Sequence, residues 1–252
     1  MNLECFGDYR LKSLDPPLEI YLLGVVDFED ALQLQRRLVY EIGGYDDGRG
    51  ALVLCEHLPT ITIGRGGSRG HVFFEDDELD RLGIPIRWTN RGGGVMLHLP
   101  GQLVAYPIVP LADRGLGLAG YLDRVHAALV DVLEEFGLRG ERPAGHSGVW
   151  VGGAQIASVG IAVNRWIAYH GLALNVSTPM APFRKIRPNT VNGGKMTCMA
   201  AQRRAPLPMA GVREALVRHL ENHLRFSRHH VYSQHAMVRS QRRHHVYAES
   251  LG

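Results

Sequence analysis

The sequence predicts an α+β fold, with mixed, largely antiparallel sheets packed against helices. Three observations carry this reading. Segments with alternating or continuous strand-like hydrophobicity are interspersed with segments of helical periodicity. Consecutive strand-like runs in residues 148–176 are separated by two-residue turns of the kind that join antiparallel neighbours. A chain of 252 residues, 45% hydrophobic and 21% charged, is also long enough and apolar enough to bury one sizeable core.

Taken in order, Leu18–Val26 reads as a strand. Asp27 follows as a helix N-cap, with Glu29 and Asp30 in the first turn where the helix dipole favours acids. Leu32, Leu34, Leu38 and Val39 then recur at helical spacing up to Gly43-Gly44. Ala51–Cys55 is a short buried strand, and Thr60–Ile63 is another, stopped by Gly64-Arg65-Gly66-Gly67. A short helix is predicted over Asp76–Leu82, then a strand over Ile84–Trp88 held to an edge or start by Pro85. After the turn Asn90–Gly94 the chain returns through Gly101 into a strand at Leu103–Ile108.

Residues 118–137 give the clearest helix. Leu122, Val125, Leu129, Val132, Leu133 and Phe136 form one apolar stripe, closed by Gly137. Gly148–Val151, Ile156–Val163 and Ala168–Val176 read as three strands joined by turns at Gly152-Gly153 and Asn164-Arg165. A long irregular loop, Ser177–Gly194, precedes a last helix over Met209–Leu224. The domain is therefore placed at residues 1–224. Residues 225–252 are read as a basic, His/Arg-rich and poorly ordered tail. That tail carries Arg225, Arg228, Arg239, Arg242 and Arg243 and repeats His-His-Val-Tyr at 229–232 and 244–247. Its paired histidines could bind a transition metal, but a poorly ordered basic tail is the preferred reading.

Net charge is +3, and without the five tail arginines 23 basic residues face 25 acidic ones. The body of the chain is thus no nucleic-acid binder by charge. Cys5, Cys55 and Cys198 are too few and too scattered for a disulfide framework or a thiolate metal site, so no metal is expected and a reducing cytoplasm is the expected setting. The first fifteen residues lack an apolar secretory core, and no apolar stretch approaches the ~20 residues that span a bilayer.

Three ordered segments carry a family resemblance. The first is Leu23-Gly24-Val25-Val26-Asp27-Phe28 with Leu34-Gln35, then Cys55-Glu56-His57-Leu58-Pro59 and Gly64-Arg65. The second is Arg91-Gly92-Gly93-Gly94, His98-Leu99-Pro100-Gly101-Gln102 and Tyr106-Pro107. The third is Gly148-Val149-Trp150-Val151, Ile156-Ala157-Ser158-Val159-Gly160-Ile161, His170-Gly171-Leu172-Ala173-Leu174-Asn175-Val176 and Pro182-Phe183. Together, over about residues 20–200, they resemble the lipoyl(octanoyl) protein transferases, the octanoyl-acyl-carrier-protein:protein N-octanoyltransferases of lipoate biosynthesis.

The resemblance implies a fold shared with lipoate- and biotin-protein ligases, a bound medium-chain acyl group and no cofactor. The implied partners are octanoyl-acyl carrier protein and the lipoyl domains of oxoacid dehydrogenases or the glycine-cleavage H protein. Arg65, Arg69, Arg91 and Arg165 are candidate docking charges for those acidic domains. The implied acyl-binding residues are Arg91, Gly92, Gly93, Gly94, His98, Gly101, Gln102, Ser158, Val159, Gly160, His170, Gly171, Leu172 and Ala173. Glycine suits such a wall, because bare backbone packs on an alkyl chain and its N–H groups can meet a carbonyl.

The family works through a cysteine thioester, with a lysine nearby that lowers the thiol pKa. Here Gln155 stands in place of the lysine and Asn189 in place of the cysteine. An amide is neither a base nor a useful nucleophile. Cys198, nine positions beyond Asn189, is either a substitute nucleophile or a small buried core residue. Lys185 and Lys195 flank the altered loop and could stand in electrostatically. Met96 replaces an expected Thr, Leu97 a bulky aromatic and Leu99 a Gly, changes expected to narrow or reshape the pocket. No P-loop or other nucleotide motif offers an acyl-adenylate route. Two readings follow: a transferase of altered chemistry, or a catalytically inactive acyl-binding or protein-interaction homologue.

Overall fold

The computed structural model describes residues 16–188 and 195–238. In chain order the elements are β1 (Pro17–Val26), α1 (Phe28–Ile42), β2 (Gly50–His57), β3 (Thr60–Ile63), α2 (Asp76–Leu82), β4 (Ile86–Trp88) and β5 (Val95–His98). They continue with β6 (Gln102–Pro110), α3 (Leu118–Glu135), β7 (Gly148–Val151), β8 (Ala154–Asn164), β9 (Ile167–Asn175), α4 (Met199–Arg203), α5 (Met209–Leu224) and β10 (Arg228–Tyr232). A seven-stranded sheet runs β10-β1-β2-β6-β9-β8-β7, and a three-stranded sheet runs β4-β3-β5. Five of the strand pairs are antiparallel, as expected. β1 is parallel to both β2 and β10, and β3 is parallel to β4.

Each face of the large sheet has its own cover. Ile20, Leu52, Leu54, Leu103, Ala105 and Leu174 face α3 and α5, whose stripes of Val125, Leu129, Val132, Leu216 and Leu220 they bury. The alternate residues Leu23, Val53, Cys55, Val104, Tyr106 and Ala173 face the other way, where Leu34 and Leu38 of α1 pack. Asp27 caps α1 as anticipated, its carboxylate accepting from Glu29 N–H. The small sheet builds a third core of Ile61, Ile63, Val95, Leu97 and Leu99 with Phe74, Leu79 and Phe183.

Three expectations are corrected. The β8–β9 turn is Arg165-Trp166, both left-handed with φ of 48° and 60°, while Asn164 still pairs with Ile167. Asn tolerates that conformation better than Arg or Trp, so propensity pointed one residue early. β4 begins at Ile86, two residues later than the predicted strand, because Ile84 packs in the small core and Pro85 supplies no donor. The fold also continues past 224. Phe226 is buried, Arg114 lies over its ring, and Arg228–Tyr232 adds a strand to β1 with Tyr232 stacked on Tyr21. The second His-His-Val-Tyr copy and Cys5 lie outside the described residues.

Candidate functional site

The strand alternation of the small sheet creates the site. Odd positions of β3 and β5 enter the small core, so the even ones, Thr62, Met96 and His98, face the large sheet where Val104 and Tyr106 project. A narrow slot with about 10 Å³ of free volume lies between the two sheets, walled by Phe28, Arg91, Met96, His98, Val104 and Tyr106 and floored by Gly160 and residues 170–173. A second small cavity, also with about 10 Å³ of free volume, adjoins it past Met96 and Ala173 and is bounded by Gln102, Ser158, Pro188 and Met196.

A hydrogen-bonded chain holds the first wall. Gln102 Nε2 donates to Leu97 O (3.2 Å) and to Asn175 Oδ1 (2.9 Å), while Asn175 Nδ2 donates to Thr197 O (3.1 Å). Gln102 Oε1 is therefore an acceptor, so His98 Nδ1, 2.8 Å away, carries the proton. Thr62 accepts from Arg91 Nη2 (2.8 Å), which leaves its hydroxyl to donate to His98 Nε2 at 3.2 Å. Burial and the neighbouring His57 push the His98 pKa well below its usual value, so this neutral tautomer persists. His57, brought to about 4 by burial, pairs with Tyr106 Oη at 2.7 Å.

His170 is held differently. Its φ of 56° breaks the β9 pleat, and its N–H donates to Gln35 Oε1 (2.9 Å) rather than to a neighbouring strand. Asn90 Nδ2 donates to Tyr169 Oη, so Asn90 Oδ1 accepts from His170 Nε2 at 3.0 Å. Burial lowers the His170 pKa to about 3.

Arg91 is 3% exposed and gives its terminal nitrogens to Gly92 O and to Thr62, while its Nε is buried without a protein partner. Burial lowers its pKa to about 10. Arg91 is thus a buried strut, which corrects its reading as a docking charge. Arg65 and Arg165 are exposed, and Arg69 pairs with Asp76.

The glycine turns serve backbone packing. Gly64, Arg65 and Gly66 N–H groups donate to Gly94, Arg91 and Gly93 carbonyls at 3.0 Å each, and Gly92 N–H donates to Ile161 O at 2.8 Å. The Gly92 N–H is therefore engaged within the protein, which corrects its reading as a donor to a ligand carbonyl. A Cβ on Gly160 would sit 2.7 Å from Gly92 O, and one on Gly171 would sit 2.1 Å from Ala105 O. Gly101 N–H is held by Glu56 Oε2 (2.7 Å) and its carbonyl receives Val176 and Ser177 N–H.

The implied acyl-binding residues thus divide. Arg91, His98, Gly160, His170, Gly171, Leu172 and Ala173 line the slot, and Gln102 and Ser158 line its neighbour. Gly92, Gly93 and Val159 face a separate open groove beside α3. Leu97 borders the second cavity, and Leu99 packs in the small core.

Gln155 is 3% exposed, and its Nε2 donates to Ala157 O and Ser158 Oγ, both at 3.2 Å. Gly148 makes room for that amide, since a Cβ there would lie 2.7 Å from it. Gln155 N–H donates to Lys195 O (2.8 Å) and its carbonyl accepts from Thr197 N–H (2.9 Å), drawing the far end of the altered loop against β8. Pro188, at the near end, lines the same cavity as Ser158. Asn189 itself lies outside the described residues. Cys198 is 5% exposed at the N-cap of α4 and is not on the wall of either cavity. Lys185 pairs with Glu78, its Nζ 2.6 Å from Oε2, and Lys195 is exposed. Among the described residues no cluster of three or more His, Cys, Asp or Glu could hold a metal ion, and no helix is long and apolar enough to cross a membrane.

Sequence reasoning missed Phe28, Val104, Tyr106, Phe183, Ile186, Pro188 and Met196 as lining residues. Two of them were findable. Stepping by two from Gln102 along β6 reaches Val104 and Tyr106 on the same face. Phe28, Phe183 and Met196 come from distant elements and carry no local signal.

Residues 27–221 match the family described as "Lipoyl protein ligase A/B catalytic domain". The chain is 42% identical over 178 residues to an octanoyltransferase of Syntrophobacter fumaroxidans, covering 71% of this chain and 78% of the relative. It is 40% identical over 194 residues to an octanoyltransferase of Geobacter metallireducens, covering 77% and 87%. The fold is similar to that of a bi-partite lipoate protein ligase from Thermoplasma acidophilum, with a TM-score of 0.70, 17% identity and coverage of 86% and 88%. The family match and these relatives place the chain in the octanoyltransferase family, within the lipoate protein ligase superfamily.

Proposed function

We propose that this protein serves lipoate assembly by holding a medium-chain acyl group in the slot between its two sheets, without forming the covalent thioester by which its family transfers octanoyl. The acyl donor on this reading is octanoyl-acyl carrier protein. The family's acceptor is a lysine on a lipoyl domain of an oxoacid dehydrogenase or of the glycine-cleavage H protein. One observation carries the reading: where the family places a lysine, Gln155 presents a neutral amide whose donors are engaged by Ala157 and Ser158. No cationic nitrogen stands there to lower a thiol pKa, and Asn189 supplies no thiol. Cys55 is no substitute, since burial pushes its thiol far up, away from the reactive thiolate.

The test incubates the full chain with octanoyl-acyl carrier protein and follows intact mass. No acyl adduct is expected, while sodium octanoate binds. An adduct on Cys198 would overturn the non-covalent reading and establish a relocated nucleophile. Restoring Gln155→Lys and Asn189→Cys together should bring back the adduct and transfer to a lipoyl domain.

A further inference from the structure

We propose that Met96 is the specificity-determining residue of the acyl slot, a flexible gate that separates the two cavities and limits the length of chain the protein holds. This rests on the acyl-binding reading of the same site. Among the described residues only Met96 and Ala173 line both cavities. Ala173 ends at its Cβ, so the reach across the slot belongs to Met96. Its Cε extends far enough to lie 3.4 Å from the position of a Cβ on Gly160, on the opposite sheet. Met96 pairs with Thr62 on β3 and is half-buried. An unbranched thioether with three rotatable bonds is the side chain best suited to swing aside.

The sizes of the two spaces matter. Each leaves only about 10 Å³ of free volume, room for about one water, so an acyl chain enters only where a side chain moves, and Met96 is the long side chain common to both walls. Their order follows from their walls. The cavity of Ser158 and Pro188 lies beside Gln155, where the family carries its lysine, so it takes the acyl head. The slot beyond Met96 takes the tail. Its histidines and tyrosine are turned to partners in the protein: His98 to Gln102 and Thr62, His170 to Asn90, and Tyr106 to His57. A short acyl group needs only the space before the gate to widen, and a longer one must displace the Met96 methyl to pass.

The experiment measures binding of sodium butyrate, hexanoate and octanoate by calorimetry to the full chain and to Met96→Thr, Met96→Ala and Met96→Leu. Each methylene that gains burial is worth about a factor of four in affinity. Met96→Thr and Met96→Ala, which open the passage, should therefore raise octanoate affinity about tenfold or more while leaving butyrate unchanged. Met96→Leu keeps nearly the same volume and should show no gain, which separates passage width from general loosening. Equal octanoate-to-butyrate ratios in wild type and both small variants, with melting temperatures preserved, would overturn the gate and leave acyl binding standing. Binding of none of the acids to any variant would overturn acyl binding itself, and the gate with it.

Discussion

Gln155 Nε2 donates to Ser158 Oγ across 3.2 Å, at the point where the loop segment Lys195–Thr197 is laced onto the start of β8. Position 155 is therefore a buried fastening of the loop. Gln155→Lys alone should restore charge without chemistry. A buried ammonium in place of the neutral amide should cost about 1–3 kcal/mol at neutral pH. Burial lowers such a lysine's pKa, so the deficit should shrink as pH rises towards 10. Chemical denaturation at pH 7 and pH 9.5 reads the effect, and intact mass should show no acyl adduct until Asn189→Cys is added.

Gly171→Ala tests the close approach of β9 to β6. A methyl at that position lies 2.1 Å from Ala105 O, and Pro107 Cδ is 2.7 Å away on the other side. Neither neighbour is the end of a flexible chain, so backbone must move. A loss of about 2–4 kcal/mol is expected, together with weaker octanoate binding, since Gly171 floors the slot. Unchanged urea midpoints would show that β9 has more freedom than its packing indicates.

Acid should unfold the site through its histidines. His57, His98 and His170 are 0%, 3% and 1% exposed, and burial depresses all three from the ordinary 6.5, to about 4 for His57 and about 3 for His170. The unfolded chain binds their protons below 6.5 and the folded chain does not. Their contribution to stability is thus complete above 6.5 and is lost as pH falls towards the folded values. Between pH 7.5 and 5.5 the three together should remove roughly 4 kcal/mol. His170→Asn, measured by urea denaturation at both values, should flatten that slope by about a third.

The edge strand β10 should protect β1. Ending the chain after Ser227 removes the Tyr21–Tyr232 stack, whose ring centroids lie 5.2 Å apart, and exposes the β1 edge. A loss of about 1 kcal/mol from the aromatic pair is expected, with concentration-dependent association visible by light scattering, because an open edge templates pairing. A truncated chain that stays monomeric and equally stable would make β10 dispensable.

The strands and helices were legible because their signal is local. Asp27, the leucines of α1 and the apolar stripe of α3 state their own geometry through capping and periodicity, and the predicted helices at Asp76–Leu82 and Met209–Leu224 coincide with those observed. β10 was hidden because a strand so exposed, written Arg-His-His-Val-Tyr, has no buried alternation to betray it. Its pairing depends on an edge that β1 offers from two hundred residues away.

The site divides along the same line. The sequence by itself determined the family, because residue identity at ordered motif positions needs no coordinates, and the proposal about its chemistry turns on Gln155 and Asn189. Only the tertiary structure decided that Arg91 is a buried strut, that Leu99 belongs to a core, and that Met96 stands between two cavities. Those outcomes depend on which faces of β5, β6, β8 and β9 meet. That meeting is set by the packing of two sheets, which no single segment encodes.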